Sequence, residues 1–280
     1  MTRRLTGAAI VAGVVGQPIK HSMSPLLHTA WIEAAGLDAV YAPFQPPDET
    51  GFVALVRSLA GAGVRGLNVT LPFKQAALAL ADTADSAAER AGAANLLLFK
   101  EGRVEARNTD GIGLIASLRE EAPSLNLKGA VVVLLGAGGA ARGAAAALAA
   151  EGAALRIVNR TLDRGEALAR AFGGRGYGIG EATEAFDGAA LVVNSTSAGI
   201  AGGEELDWPL QALGGSAVVL DMRYGPRPTR LVSQARARGL AGFDGLGMLI
   251  GQARPSFEAF YGVPPPNDLD AEALLRGAMA

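Results

Sequence analysis

The chain has 280 residues, of which 50% are hydrophobic and 19% are charged, so it can form about two globular domains and is not a disordered segment. A net charge of -2 indicates no electrostatic surface for nucleic acid. The absence of cysteine excludes disulfides, thiolate metal sites and a cysteine nucleophile.

The N-terminal stretch allows two interpretations. Two arginines precede an uncharged run from Leu5 to Ile19, which superficially resembles a secretion signal. Gly13, Gly16 and Pro18 interrupt the run, so a short buried strand ending in a turn explains it better. No apolar run reaches the ~18 residues that a membrane helix needs. We therefore expect a cytoplasmic protein without a membrane partner.

Strand-like and helix-like segments alternate along the first part of the chain, as in a parallel sheet with crossover helices. Ser24 and Pro25 are typical of a helix start, with Ser24 as the N-cap. The predicted strands are Ile10–Val15, Val40–Phe44 and Gly66–Val69, followed by a hairpin of Leu96–Phe99 and Val104–Ala106. The predicted helices are Ser24–Ala35, Asp48–Ala62 and Lys74–Leu80.

A second α/β unit is predicted to begin near Asp110. Its predicted strands are Ala130–Leu135, Leu155–Val158, Leu191–Asn194 and Ala217–Met222, and its predicted helices are Gly111–Glu121 and an alanine-rich helix ending at Ala150. A last helical stretch, Leu249–Phe260, has apolar residues at helical spacing. Its position suggests that the chain returns to the first unit.

A glycine-rich turn joins the strand ending at Leu135 to the alanine-rich helix. It has the pattern Gly136-x-Gly138-x-x-Ala141, in the strand-to-helix context that a dinucleotide-binding turn requires. Gly136 permits the tight turn and Gly138 lets the backbone approach a pyrophosphate. The helix N-terminus supplies N–H donors and a positive dipole end. These features predict a dinucleotide site.

The residues about 20 positions later indicate which dinucleotide is bound. An NAD-binding protein would place an acid there for the ribose hydroxyls, but this chain has Asn159, Arg160 and Thr161, with Arg164 one helical turn later. Arginine can pair with a 2′-phosphate and stack on adenine. A solvated arginine-rich loop is the alternative. The pattern favours NADP over NAD.

Three polar clusters in the first unit lie where α/β proteins place ligands. Ser22–Ser24 offers hydroxyls and helix N–H groups for a carboxylate. Asn68–Lys74 ends in a lysine that can exchange a proton with a carbonyl or carbinol oxygen. Asn108–Asp110 ends in an acid that can orient the lysine. Each cluster also has a structural interpretation, as a helix cap or a solvated charge.

Taken together and in this order, the motifs resemble the shikimate dehydrogenase family over essentially the whole chain. The segments that carry the resemblance are His21–His28, Asn68–Lys74, Gly92–Asn95, Asn108–Gly111, Gly136–Arg142, Asn159–Thr161, Asn194–Ser197, Asp221–Tyr224 and Asp244–Gln252. The resemblance implies NADPH-dependent reduction of 3-dehydroshikimate to shikimate in aromatic amino-acid biosynthesis.

The resemblance also implies roles for individual residues. Lys74 and Asp110 would be catalytic, with Lys74 as proton donor and acceptor. The substrate would be bound by Ser22, Ser24, Thr70, Asn95, Asp110, Tyr224 and Gln252. The cofactor NADP would be bound by Ser86, Gly136, Ala137, Gly138, Gly139, Ala140, Asn159, Arg160, Thr161, Arg164, Met222 and Gly245.

The implied fold is α/β with two domains. A discontinuous substrate-binding α/β domain would comprise residues 1–108 and 245–280, and a Rossmann-type NADP-binding domain residues 109–244. A homodimer is consistent with the family. His21 and His28 match the family segment but are interpreted as structural, because two histidines without nearby acids make a poor metal site. No metal is expected.

Some positions depart from the family pattern. Leu96 stands where the family generally has threonine, Arg107 where a small residue is common, and Arg223 where an aliphatic residue is typical. A quinate/shikimate or aminoshikimate-type dehydrogenase therefore remains an alternative. A second alternative is an NADP-sensing protein that has lost catalysis, against which the presence of both Lys74 and Asp110 argues.

Overall fold

The computed structural model describes residues 5–196, 198 and 205–280. Two compact units are present, one formed by Met1–Asp110 with Leu249–Ala280 and the other by Gly111–Met248. Among the described residues, no helix is long and apolar enough to cross a membrane. Ser197, which closes one of the motif segments, lies outside the described residues.

The first unit is built on a six-stranded mixed sheet. The strands are β1 (Ile10–Val15), β2 (Ala39–Phe44), β3 (Gly66–Val69), β4 (Thr83–Ala84), β5 (Leu96–Lys100) and β6 (Arg103–Arg107). They lie in the order β2-β1-β3-β5-β6-β4. Strand β1 pairs in parallel with β2 and β3, whereas β5 runs antiparallel to β3 and β6. The predicted hairpin is present, and Glu101 and Gly102 form its turn with φ of 52° and 76°.

The helices of this unit are α1 (Ser24–Ala34), α2 (Glu49–Ala60), α3 (Lys74–Leu80), α4 (Ser86–Ala91), most of α10 (Leu246–Tyr261) and α11 (Ala271–Met279). The prediction that Ser24 is the N-cap of α1 was wrong. Ser24 is already helical and Met23 occupies the cap position, with no side-chain cap. The Ser24 N–H instead donates to the Ser22 hydroxyl at 3.3 Å, so the two serines form one local motif.

Register determines where the polar clusters of this unit lie. Val15, the last residue of β1, is aligned with Phe44 of β2 and Val69 of β3, so the carboxyl ends of the three strands coincide. Gly66 permits the close strand packing, because a Cβ there would lie 2.2 Å from the Leu97 carbonyl oxygen. Both polar segments that follow β1 and β3 therefore leave the sheet at the same edge.

The second unit has a parallel six-stranded sheet. The strands are β7 (Val131–Leu135), β8 (Ala154–Val158), β9 (Arg175–Tyr177), β10 (Leu191–Asn194), β11 (Val218–Asp221) and β12 (Ala241–Asp244). They lie in the order β12-β11-β10-β7-β8-β9. The helices are α5 (Asp110–Glu121), α6 (Gly139–Ala150), α7 (Leu162–Ala171), α8 (Ala182–Phe186), α9 (Arg230–Ala237) and the first residues of α10. Apolar clusters cover both sheet faces, and the strand order reverses at β7, as in a Rossmann fold.

Candidate active site and cofactor site

Lys74 and Asp110 form an ion pair in the first unit. Lys74 is the first residue of α3 and Asp110 the first residue of α5. The Lys74 Nζ donates to Asp110 Oδ2 at 2.5 Å, and the two side chains are only 12% and 6% exposed. A lysine in a solvated surface cluster would be far more exposed. The pair keeps an ammonium beside a carboxylate in a mostly buried place, where it can exchange a proton with a bound substrate.

The Asp110 carboxylate is held on its other side by Asn95, whose Nδ2 donates to Oδ1 at 2.9 Å. The orientation of the Asn95 amide is fixed, because its oxygen accepts the Thr109 N–H at 2.7 Å. Asn95 Nδ2 also lies 3.3 Å from the Oε1 of Gln252. The structure thus brings together Lys74, Asn95, Asp110 and Gln252, four residues predicted from the sequence.

Two residues of the same cluster received no role in the sequence analysis. The Asn108 Oδ1 accepts the Asp110 N–H at 3.0 Å, and its Nδ2 donates to the Ala93 carbonyl at 2.8 Å. The Thr109 hydroxyl donates to the Gln252 carbonyl at 3.1 Å. Both side chains are buried. Their position directly before Asp110 could have indicated a role in holding that carboxylate.

Ser24, one of the two serines predicted to bind a carboxylate, belongs to a second buried network of hydrogen-bonded side chains. Ser24 is buried and hydrogen-bonds the Tyr41 hydroxyl, and Tyr41 donates to Asn68 Oδ1 at 2.7 Å. Asn68 Nδ2 in turn donates to the Ser256 hydroxyl at 2.9 Å. Burial is the main cause that raises the pKa of Tyr41 well above its usual value, so the phenol stays neutral and can donate. Tyr41 and Ser256 were not anticipated, because neither lies in a recognisable motif.

Thr70 follows the end of β3 and is half-buried. Its Cγ2 would lie 2.4 Å from a Cβ at position 16, so glycine at that position leaves room for the threonine beside the loop after β1. Thr70 therefore lies at the same sheet edge as the Ser22–Ser24 segment.

His28 is fully buried in a cluster of aromatic side chains. Its ring stacks on Tyr41 with centroids 4.0 Å apart, and Trp31 and Phe257 surround it. Desolvation lowers the pKa of His28 to about 3. The imidazole is therefore neutral at physiological pH and serves packing. Within the described residues, no group of three or more His, Asp and Glu side chains is arranged for a metal.

We expect His28 to make stability depend on pH. Its pKa is about 3 when folded and 6.5 when free, so the unfolded chain binds the extra proton between these values. The stabilising contribution is complete above pH 6.5 and decreases by about 1.4 kcal/mol per pH unit as the pH falls toward 3. Denaturant unfolding of wild type and His28→Phe measures this difference in slope, with the exposed His21→Gln as control. Equal slopes for wild type and His28→Phe would contradict it.

The glycine-rich turn of the second unit is shaped for close approach of a ligand. Gly136 has φ of 105°, and a Cβ there would lie 2.9 Å from the Ser195 Oγ, so only glycine fits. Gly138 is the N-cap of α6, and a Cβ on it would meet nothing within 4 Å. Together with Ala137, Gly139 and Ala140, these residues form an open cradle at a helix N-terminus, which suits a pyrophosphate.

The predicted 2′-phosphate residues follow β8. Thr161 is the N-cap of α7, and the Asn159 Nδ2 donates to the Thr161 carbonyl at 2.8 Å, which holds the turn. Arg160 and Arg164 are exposed on this turn and on the first turn of α7, and among the described residues neither makes a salt bridge. Their charge is thus available to an anionic ligand.

Met222 and Gly245 are brought together at the ends of β11 and β12. The Gly245 N–H donates to the Arg223 carbonyl at 3.0 Å, and a Cβ on Gly245 would lie 2.0 Å from the Met222 carbonyl oxygen. Tyr224 follows on the same turn and is half-buried. Ser86 belongs to the first unit instead, as the exposed first residue of α4, whereas the other predicted cofactor residues belong to the second.

The structure shows the surroundings of two residues that depart from the family pattern, Leu96 and Arg107. Leu96 begins β5 and is buried, so the position contributes an apolar side chain where a hydroxyl was expected. Arg107 on β6 pairs with Glu105 at 2.6 Å in a partly exposed salt bridge. Neither substitution removes a group from the Lys74 cluster.

Comparisons with known proteins agree on one family. A family model for the shikimate dehydrogenase substrate binding domain matches residues 14–97, and one for shikimate / quinate 5-dehydrogenase matches residues 117–201. The chain is 50% identical to a shikimate dehydrogenase (NADP(+)) of Caulobacter vibrioides over 98% of this chain and 97% of the relative. A corresponding protein of Maricaulis maris is 47% identical, with 96% of each chain covered. The crystal structure of shikimate 5-dehydrogenase from Thermus thermophilus in complex with NADP(H) and shikimate has a TM-score of 0.85 and 35% identity, covering 96% of this chain and 99% of that one.

Proposed function

This chain belongs to the shikimate dehydrogenase family, and we propose that it catalyses the reversible NADPH-dependent reduction of 3-dehydroshikimate to shikimate. Its curated relatives are named shikimate dehydrogenase (NADP(+)), so the chain is an NADP-dependent oxidoreductase, and we assign its reaction to chorismate and aromatic amino-acid biosynthesis. The observation that carries the mechanism is the Lys74–Asp110 pair, because a dehydrogenase needs a proton donor where a carbonyl oxygen becomes an alcohol.

In the proposed mechanism Lys74 donates a proton to the C3 oxygen during reduction and takes it back during oxidation. Asp110 holds the ammonium in place and accepts a hydrogen bond from a neighbouring substrate hydroxyl. Asn95 orients the Asp110 carboxylate by donating to its Oδ1, so that Oδ2 accepts the hydrogen bond from Lys74. Bound NADPH supplies the hydride to the carbonyl carbon.

The remaining polar residues are proposed to bind the substrate. A carboxylate needs donors, which Ser22 and Ser24 provide beside the N-terminus of α1. The hydroxyls would be shared among Thr70, Asn95, Gln252 and Tyr224, together with Asp110. A site that pairs every hydroxyl rejects analogues lacking one, because the buried partner is then left without a hydrogen bond.

The second unit is proposed to bind NADP. The open cradle at Gly136–Ala140 fits a pyrophosphate, since the space at Gly138 is unfilled and Gly136 adopts a backbone conformation that other residues avoid. Asn159, Arg160, Thr161 and Arg164 would hold the adenosine 2′-phosphate. Met222 and Gly245 would line the site of the nicotinamide half, and Ser86 is proposed as a further cofactor residue.

Replacing Arg160 by alanine is expected to raise the KM for NADP about 10-fold or more and to leave the KM for NAD nearly unchanged, because only NADP carries the 2′-phosphate. Initial rates with each cofactor at saturating shikimate measure the two values. Arg170→Ala is the matched control, since Arg170 is an exposed arginine later on α7. Equal increases for NADP and NAD would contradict a 2′-phosphate role for Arg160.

A quinate/shikimate dehydrogenase is the alternative function, because the family model of the second half covers both activities and Leu96 removes a hydroxyl near Asn95. Comparison of kcat/KM for quinate and shikimate distinguishes the two. Action in the cytoplasm and assembly as a homodimer are further proposals that rest on the family. Light scattering across a concentration series tests the second of these.

A further inference from the structure

Arg223, the arginine where the family typically has an aliphatic residue, is enclosed by hydrogen-bond acceptors. Its Nε and Nη2 donate to the two oxygens of Asp221 at 3.2 and 2.8 Å. Its Nη1 donates to the Glu205 carboxylate at 2.8 Å and also to the Ala198 carbonyl. The guanidinium thus joins the end of β11 to two residues that precede it in sequence. Burial acts to lower the pKa of Arg223, but hydrogen bonds and attraction from Asp221 and Glu205 outweigh it, so the group stays charged.

The backbone of Arg223 is also fixed on both sides. Its N–H donates to Asp221 Oδ1 at 3.0 Å, and its carbonyl accepts the Gly245 N–H at 3.0 Å. The preceding residue, Met222, donates its N–H to the Asn194 carbonyl at 2.9 Å. Arg223 therefore lies between the two residues that are proposed to contact the cofactor after β11 and β12.

Strand register shows which half of a dinucleotide these residues face. Leu135, Asn194, Asp221 and Asp244 are aligned, so the ends of β7, β10, β11 and β12 form one row. The chain order reverses at β7, and a dinucleotide crosses a doubly wound sheet at that point with one half on each side. Arg160 follows β8, so the adenosine half is expected on the β8 side of β7. The ends of β10, β11 and β12 lie on the opposite side of β7 and are therefore expected to face the nicotinamide half.

We propose that Arg223 is a positioning residue for the nicotinamide half of NADP. It fixes the Met222–Gly245 turn to the Ala198 carbonyl and the Glu205 carboxylate and has no role toward the adenosine half. This inference rests on the proposed function. Arginine suits the place because its planar fork satisfies several acceptors at once, whereas a lysine ammonium on a flexible stem cannot reproduce that geometry.

The test compares two ligands on variants that keep the buried charges balanced. Arg223→Lys retains the positive charge but loses the fork. In the double variant Asp221→Asn with Arg223→Met the fully buried Asp221 charge is removed together with its cation. Only the Glu205 carboxylate then loses its partner, and its side chain is 28% exposed, so water can reach it. Dissociation constants are measured without turnover for NADPH and for adenosine 2′,5′-bisphosphate, a fragment without nicotinamide, and kcat is measured with saturating shikimate and NADP. Arg230→Lys is the control, since Arg230 pairs with Asp207 on the nearby exposed surface.

We expect both variants to weaken NADPH binding or lower kcat by about 10-fold, because a small displacement of the reacting ring is costly. Binding of the bisphosphate should remain at the wild-type value, as should every property of Arg230→Lys. Equal loss for both ligands would mean a general disturbance of the domain, and no change in either NADPH binding or kcat would mean no positioning role. Both results overturn the inference. Wild-type protein that does not oxidise shikimate would instead overturn the proposed function.

Discussion

Replacing Lys74 by alanine is expected to lower kcat by on the order of 10²-fold or more, the magnitude typical of a lost general acid–base group. The Lys74 Nζ lies 2.5 Å from Asp110 in a mostly buried pair, so the substitution removes the ammonium that this pair holds at the proposed point of proton transfer. Steady-state rates with shikimate and NADP measure the effect. Binding of NADP should be retained, because the proposed cofactor residues other than Ser86 lie in the second unit.

Two controls separate chemistry from damage. Lys100→Ala removes an exposed lysine at the end of β5 and should leave kcat unchanged. Lys74→Met keeps most of the side-chain volume but cannot exchange a proton, so it should be as slow as Lys74→Ala. Turnover of Lys74→Met close to that of wild type would remove Lys74 from the mechanism.

The Arg223→Met single variant is expected to lose about 3 kcal/mol of unfolding free energy, the scale for removing one partner of a buried ion pair. Asp221 is 0% exposed and the Arg223 side chain is 15% exposed, so the remaining carboxylate would stay buried without a cation. The Thr229 hydroxyl and the backbone N–H at position 223 still donate to it and limit the loss. Denaturant unfolding of the purified variant gives the value.

An exposed ion pair provides the comparison. Arg230→Met breaks a pair with Asp207 in which both side chains are at least half exposed, and it should cost less than about 1 kcal/mol. The double variant Asp221→Asn with Arg223→Met should be more stable than Arg223→Met alone, because the buried charge is gone. Equal losses for Arg223→Met and Arg230→Met would show that burial of the pair does not matter.

Much of the architecture could be predicted because the hydrophobic periodicity is clear in this chain and glycine and proline mark many ends of helices and strands. The predicted strands Ile10–Val15, Gly66–Val69 and Leu191–Asn194 are present with the same bounds. Elements with weak local signals were missed: β4 has two residues and β9 is the segment Arg175–Tyr177 with a central glycine. Such strands exist because neighbouring strands offer them hydrogen bonds, which local propensity does not encode.

The site shows the same division. Lys74, Asn95, Asp110 and Gln252 come from distant motifs and lie in one hydrogen-bonded cluster. Tyr41 and Ser256 hydrogen-bond Asn68 in the neighbouring buried network. Their strand and helix have sequences typical of an apolar core, so no role was predicted for either residue. The ion-pair cluster of Arg223 could not be foreseen either, since Glu205 is 18 residues away and only the fold brings the two together.

The most direct test of the central claim is the absorbance of reduced nicotinamide, followed with shikimate and quinate each offered with NADP and with NAD. We predict rapid turnover only with shikimate and NADP. The Lys74–Asp110 pair would transfer the proton, Arg160 would favour NADP over NAD, and the preference for shikimate over quinate rests on the curated relatives. Comparable turnover of quinate or a preference for NAD would contradict the assignment and favour the quinate/shikimate alternative. No turnover in all four combinations would contradict an enzymatic role altogether.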